Sequence, residues 1–445
     1  MNPRFRRLRL SNWRNFRSVD IALRDRMFVV GPNASGKTNL LDAFRFLHDV
    51  AAHGGSLARA LGARGDLAHL RSLHARRDSK VAIAVELEVA GEPWTYELEL
   101  EGTKTRPTRI VREVVSHKSR PILTRPTDVD KTDSRLLEQT HLEQLTQNAK
   151  FRVVADALAQ ITTTHIVPQI VRGSRGDKSG GEDSAGSDFV DQLARLGERK
   201  QKQALARIEK QLKIAVPQFS ALRIERDKLG VPHLEARYDH WRPGGVWQNE
   251  KDFSDGTLRL VGLLWAIQQG EGLLILEEPE LSLHREIIRQ LPRVVAQAAQ
   301  RTERQVFVST HAEEMLSDAG VDPAEVLVLR PSGEETEVLA GSSINELLAA
   351  AKAKLGLGKV VTGLTRPTRV NQLLASASPP RTAPERTAPT GPVGRARAIL
   401  YPWPPSIPSG FWRTFPQTGS SSFPTRSLSD PRRSSSSRNS PKRPR

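Results

Sequence analysis

No cysteine occurs in this chain of 445 residues. That excludes structural disulfides, cysteine-ligated zinc and a thiol nucleophile, and it fits a reducing compartment. Long apolar runs are missing too. The densest, Val261–Ile267 and Leu273–Leu276, fall far short of the ~18–20 residues of a membrane-spanning helix. The opening Met1 to Leu10 lacks the apolar core of a signal peptide. A soluble, cytoplasmic chain with no membrane partner is expected.

What is present is a core-forming composition, 38% hydrophobic and 26% charged, with a formal net charge of +17. The charge is unevenly placed. Residues 366–445 hold 14 Lys/Arg against 2 Asp/Glu, so the first 365 residues carry 53 basic and 48 acidic side chains, only +5. The high isoelectric point is therefore weak evidence that the folded part binds nucleic acid. The same last 80 residues contain 15 of the 29 prolines and 14 serines. Such a stretch cannot bury enough apolar surface to offset its ordering entropy, and a disordered Pro/Ser/Arg-rich tail is expected over 359–445. A polycation touching phosphate backbones is the functional alternative.

Periodicity organises the rest. Arg4–Leu10 alternates as a strand, Met27–Val30 is a short apolar strand, and Asn39–Val50 reads as a helix with Leu40, Leu41, Phe44 and Leu47 on one face. Lys80–Glu101 alternates across a turn at Gly91-Glu-Pro93, a hairpin. From about 134 to 215 the pattern becomes helical, interrupted by the Gly/Ser-rich stretch Gly173–Ser187. Arg199, Lys202, Lys210 and Lys213 lie off the apolar side of the second helix; they suit a solvated face or a DNA-contacting one. From Leu258 onward apolar strands and helices alternate, as in a parallel sheet.

Four short motifs carry the chemistry. Gly31-Pro-Asn-Ala-Ser-Gly-Lys-Thr38 fits G-x-x-x-x-G-K-[ST] between a strand and a helix. Its backbone N–H groups, from Gly31, Pro32, Asn33, Ala34, Ser35 and Gly36 onward where a residue has one, would wrap phosphates at a helix N-terminus. Lys37 would reach the β- and γ-phosphates and Thr38 would offer its hydroxyl to Mg2+. Leu273-Leu-Ile-Leu-Glu-Glu-Pro-Glu280 delivers carboxylates at a strand end: Glu277 suits Mg2+, and Glu278 suits a base that polarises the attacking water. Alternatively, Glu278 and Glu280 simply favour the N-terminus of a helix opened by Pro279. Gln305–His311 is a third strand ending in Thr-His; His311 could hydrogen-bond a γ-phosphate or the water, or be a partly buried cap residue. Phe253-Ser-Asp-Gly-Thr257 precedes an apolar helix, so Ser254 is either an ordinary N-cap or, with Gly256, a second phosphate site. One nucleotide already has its P-loop, so a second such site would serve another subunit's ATP.

The order of these motifs resembles the ABC-type ATPases, in particular the RecF/SMC-like branch of small AAA-family ATPases. Leu10-Ser-Asn-Trp-Arg-Asn-Phe16 and Glu278-Pro-Glu-Leu-Ser-Leu-His284 look like that branch as well. The resemblance implies an α/β P-loop NTPase of ABC type, with an antiparallel β-subdomain and a compact helical insertion. It divides the chain into residues 1–115 and 236–358, two parts of one ATPase domain, and an insertion lobe over 116–235. It implies an ATP-dependent homodimer in which Lys37, Thr38, Glu277, Glu278 and His311 of one copy face Ser254 and Gly256 of the other across ATP and Mg2+. Glu277 stands where Asp is more common, and Arg285 where proline is. DNA association is the first expected role; a regulatory switch in a defence or toxin system, coupled to a protein effector, is the alternative. A fused nuclease is not expected, since the tail offers only Glu385 and Asp430 as acids.

Overall fold

The computed structural model of the chain describes residues 2–72, 80–103, 106–173, 188–239, 245–333 and 335–366. The Gly/Ser-rich segment after Gly173 and the expected tail beyond Arg366 lie outside them. Strands β1 (Arg4–Trp13) and β2 (Phe16–Ala22) form a hairpin, and β3 (Arg26–Val30) runs into the P-loop. Phe5 and Leu8 are both buried although three residues apart, because a bulge between Phe5 and Arg7 resets the alternation. The hairpin of β4 (Lys80–Val89) and β5 (Glu92–Thr103) forms where the alternation places it, with Val81, Ile83, Val85 and Leu87 buried. β6 (Arg106–His117) and β7 (Arg120–Arg125) extend it, giving an antiparallel sheet in the order β2-β1-β4-β5-β6-β7.

The remaining strands are β8 (Thr162–Thr164), β9 (Phe219–Arg226), β10 (Pro232–Tyr238), β11 (Val246–Asn249), β12 (Leu273–Glu277), β13 (Gln305–Thr310), β14 (Val326–Ser332) and β15 (Glu335–Ala340). β9, β10 and β11 make a small antiparallel sheet. The central sheet runs β15-β14-β3-β13-β12-β8 and is parallel except for β15. Its inner strands β3, β12 and β13 are near-continuous apolar runs because both faces are covered. One core lies between the antiparallel sheet and helix Lys37–Ala51, where Phe44 meets Phe5 and Phe307 edge-on at 5.4 and 5.3 Å. A second core packs helices Glu198–Ala215 and Asp255–Ala266 against the other face, through Ile208, Leu212, Val261 and Leu264. Among the described residues no helix is long and apolar enough to cross a membrane.

Four local differences from the sequence expectations have physical causes. Within 134–215 the helical pattern is broken by β8, whose three threonines suit the pleated edge of the central sheet and pair in parallel with β12. The stretch 116–235 thus holds helices together with the end of β6, all of β7, β8 and β9, and part of β10. Pro279 opens no helix: residues 278–283 turn, and the next helix is Arg285–Thr302, capped by His284. Arg285, where proline is more common, begins that helix and pairs with Glu314 at 2.7 Å. Finally, Gly358–Thr365 is a helix that buries Val361 in the second core, so ordered structure continues past the expected start of the tail.

Candidate functional site

Register brings the motifs together. β13 lies between β3 and β12, with Thr310 opposite Val30 and Ser309 opposite Glu277. Gly31, His311 and Glu278, each the next residue along its strand, therefore leave the sheet at the same carboxyl edge. In an open α/β sheet that edge is where ligands bind.

The P-loop is buttressed from behind. Gly36 adopts φ +92°, and a Cβ there would overlap the Asn15 amide, so both conformation and space demand glycine. Asn15 Nδ2 donates to the Ser35 carbonyl at 3.0 Å and to Thr336 Oγ1 at 2.8 Å, while its Oδ1 accepts from Asn39. Trp13, fully buried, donates its indole N–H to the Asn39 carbonyl at 2.9 Å. The Trp-Arg-Asn of the N-terminal hairpin is thus a clamp on the loop and on the first turn of its helix.

Lys37 is buried at the mouth of that helix. Its Nζ donates to the carbonyls of Gly31 and Pro32 at 3.1 and 3.2 Å and lies 3.1 Å from His311 Nδ1. Burial pulls the ammonium below the ordinary lysine value, while the charges of Glu278 and Glu280 push it back up. An ammonium has only donors, so His311 Nδ1 must accept, and the ring proton of the neutral imidazole sits on Nε2. That nitrogen faces Glu278 Oε1 in direct contact. Lys37 and Glu278 are thus linked through the ring of His311.

Glu278 itself sits at φ +44°, a left-handed conformation that costs a non-glycine residue roughly 1–3 kcal/mol. Its N–H continues the ladder to the Ser309 carbonyl at 3.0 Å. Glu280 is buried beneath it and accepts from Thr310 Oγ1 at 2.7 Å and from the His311 N–H at 3.1 Å. Burial raises its carboxyl above the ordinary value, against the lowering effect of those two donors. Glu280 fixes the backbone that carries His311.

Glu277 ends β12, and its Oε1 lies 2.6 Å from Arg45 Nη2. That oxygen is buried and has no aligned hydrogen bond. Arg45 also donates to the Thr38 carbonyl at 3.2 Å. Seven residues, two helical turns, separate Thr38 from Arg45, which puts both on one face of helix Lys37–Ala51. Thr38 is exposed on its first turn. One hydroxyl plus one carboxylate is a donor set suited to Mg2+, which takes few protein ligands and completes its shell with phosphate and water. Among the described residues no cluster of three or more His, Asp or Glu could hold a metal without such help.

The Ser-Asp-Gly-Thr motif opens a different helix, Asp255–Ala266. Ser254 is the N-cap of helix Asp255–Ala266, its Oγ accepting from the Thr257 N–H at 3.2 Å. Arg172 locks the turn by donating to the Phe253 carbonyl and to Asp255, both at 2.6 Å. Gly256 lies against the loop after β12: a Cβ there would come within 2.5 Å of the Ser282 carbonyl oxygen. Sequence reasoning singled out Ser254 and Gly256, and Asn15 only as part of the Leu10–Phe16 motif; it missed Arg45 and Arg172. Only Arg45 had a signal, its two-turn spacing from Thr38.

Comparisons with known proteins follow this layout. A family model described as "AAA domain, putative AbiEii toxin, Type IV TA system" matches residues 26–317. DNA replication and repair protein RecF of Clavibacter michiganensis subsp. michiganensis is 32% identical over 111 residues, 24% of this chain and 26% of that protein. The protein of the same name from Agrobacterium fabrum is 34% identical over 119 residues, 25% and 30% of the two chains. The chain thus spans less than a third of the length of these relatives. Among solved structures, an SMC head bound to the C-winged helix domain of ScpA aligns over 75% of this chain and 97% of its own, with TM-score 0.47 and 13% identity. Since the matched span runs from β3 through the P-loop, the helix capped by Ser254, β12 and β13 and takes in more than half of the residues, the chain belongs to the AAA-domain family of that description.

Proposed function

We propose that this protein is an ATPase that hydrolyses ATP between two copies of itself and works on DNA. The observation that carries the reading is the convergence of Lys37, His311, Glu278 and Glu277 on one sheet edge. The P-loop amides and Lys37 would hold the β- and γ-phosphates, and Glu278 would take a proton from the attacking water as its oxygen bonds the γ-phosphorus and ADP leaves. His311 would donate its Nε2 proton to the γ-phosphate or the water. Mg2+, held by Thr38 and Glu277, would neutralise charge on the β- and γ-oxygens. Ser254 and Gly256 point to a second copy: a capped, locked helix N-terminus belonging to no nucleotide of its own chain suits the γ-phosphate of another's.

DNA is supported by the name of the RecF relatives and by basic surface on helix Glu198–Ala215, where Arg199, Lys200, Arg207 and Lys210 are exposed. A second basic segment, Lys104–Arg125, also motivates the DNA reading, but several of its charges are taken up within the fold. Its Arg125 is fully buried between Glu113 and Asp130, Arg112 pairs with Glu97 and Lys118 with Glu92. The test is steady-state ATP hydrolysis titrated with duplex DNA at two salt concentrations, with Lys37→Ala and Glu278→Gln as controls. Stimulation that weakens with salt is expected. Hydrolysis lost in both variants yet indifferent to DNA would favour the second reading, a switch coupled to a protein effector, to which the toxin wording of the family description points.

A further inference from the structure

We propose that Arg45 is a built-in counter-cation for Glu277, which competes with the divalent ion for the carboxylate and sets how much of that ion is needed to load the site. The inference rests on the reading of Thr38 and Glu277 as the metal-holding pair. Its starting point is the odd geometry of the contact. Arg45 Nη2 is 2.6 Å from Glu277 Oε1, yet that oxygen and Arg45 Nε are both buried without an aligned hydrogen bond. The pair is held by charge rather than by directed bonding, and a charge-held partner is the kind another cation can displace.

The guanidinium has somewhere to go. Asp42, on the same helix, has an oxygen 3.8 Å from Arg45 Nε and already collects Arg14 at 3.1 Å and Arg64 at 2.8 Å. Arg45 therefore lies between two carboxylates, close to Glu277 and within reach of Asp42. Its bond to the Thr38 carbonyl keeps the head group on the metal side of the helix. A divalent ion approaching Glu277 competes with the positive charge of Arg45, and nucleotide phosphates tip the balance by adding negative charge on the other side. The extra methylene of Glu277, compared with Asp, lets the carboxylate reach back to Arg45 from the end of β12.

The experiment measures metal binding directly. Free Mn2+ is followed by electron paramagnetic resonance as it is titrated into the full chain with saturating ADP, for wild type, Arg45→Gln and Arg45→Met. Both variants are expected to lower the Mn2+ midpoint at least threefold, while Glu277→Gln raises it. An unchanged or raised midpoint in both Arg45 variants, with thermal unfolding like wild type, overturns the proposal. The failure of the parent reading looks different: Mn2+ binding by wild type would then be indifferent to ADP and to Glu277→Gln, and the role of Arg45 would fall with it.

Discussion

Lys37 Nζ and His311 Nδ1, 274 positions apart in the chain, lie 3.1 Å from each other, and the far nitrogen of the same ring contacts Glu278. The proposed base and the lysine proposed to bind phosphate are thus tied through one imidazole. A γ-phosphate entering between them would take over the lysine and leave His311 and Glu278 to the water. His311→Ala should therefore lower the single-turnover rate by roughly 10²–10⁴-fold. Affinity for a fluorescent ATP analogue should stay within a few-fold, because Lys37 retains its two carbonyl contacts. A loss of binding as large as the loss of rate would show that His311 holds the nucleotide rather than the reacting water.

Glu278→Gln would remove the proposed base without changing shape. Hydrolysis should fall by a similar factor while ATP remains bound, so the variant should sediment as a dimer with ATP and as a monomer without it. Adding Ser254→Arg should abolish that dimer and leave nucleotide binding by each copy intact.

The hairpin clamp on the P-loop can be tested by stability. Asn15→Ala leaves the Ser35 carbonyl and the Thr336 hydroxyl without their donor, a cost of about 1–3 kcal/mol. Gly36→Ala should cost at least as much, since it adds a Cβ in a left-handed position already filled by Asn15. Urea unfolding midpoints measure both. If the two substitutions are additive when combined, the overlap between the residues is not what makes them costly.

Glu280 gives a pH signature. Burial raises its folded-state value above the unfolded one, so the folded protein binds the extra proton between the two. Its stability contribution is then complete below the ordinary carboxylate value near 4.5 and is lost as pH rises through the raised value. Glu280→Gln keeps an acceptor for Thr310 and His311 and has no charge to bury. Its melting temperature relative to wild type should increase from pH 4.5 to pH 8. A constant difference across that range would refute the assignment.

Arg125 tests the part of the basic segment assigned to the interior. It is buried with Glu113 and Asp130, and it donates to the carbonyls of Leu136 and Gln139 at 2.6 and 2.8 Å. Arg125→Ala should destabilise the protein by about 3–5 kcal/mol, because it strands two buried acids. Any DNA affinity should be unchanged under conditions where the variant is folded.

Much of this was legible in the sequence wherever a repeating local pattern coincided with a tertiary need. The hairpin Lys80–Thr103 alternates because one of its faces is core, and the P-loop reads because phosphate wrapping needs its glycines at fixed spacing. The site residues 31–38, 277, 278 and 311 meet because β13 lies between β3 and β12, an order no local pattern encodes. What escaped notice was set by distant partners. Thr162–Thr164 is too short for a period and becomes a strand only beside β12. Asn15 stands in the Leu10–Phe16 motif, but its role shows only when Ser35 and Thr336 close on it. Residues 278–283 turn instead of starting a helix because Glu280 is recruited inward by Thr310 and His311.

The close approach of Gly256 to the Ser282 carbonyl has a mechanical consequence. No methyl group fits between them, so the loop that leaves Glu278 and the first turn of helix Asp255–Ala266 behave as a single gear tooth. A shift of Ser282, four residues beyond Glu278, has no slack to absorb it and must be passed to Ser254 and Gly256. In a two-nucleotide dimer those residues would face the other copy's phosphate, so turnover in one compartment would tug on its twin through a contact one atom wide.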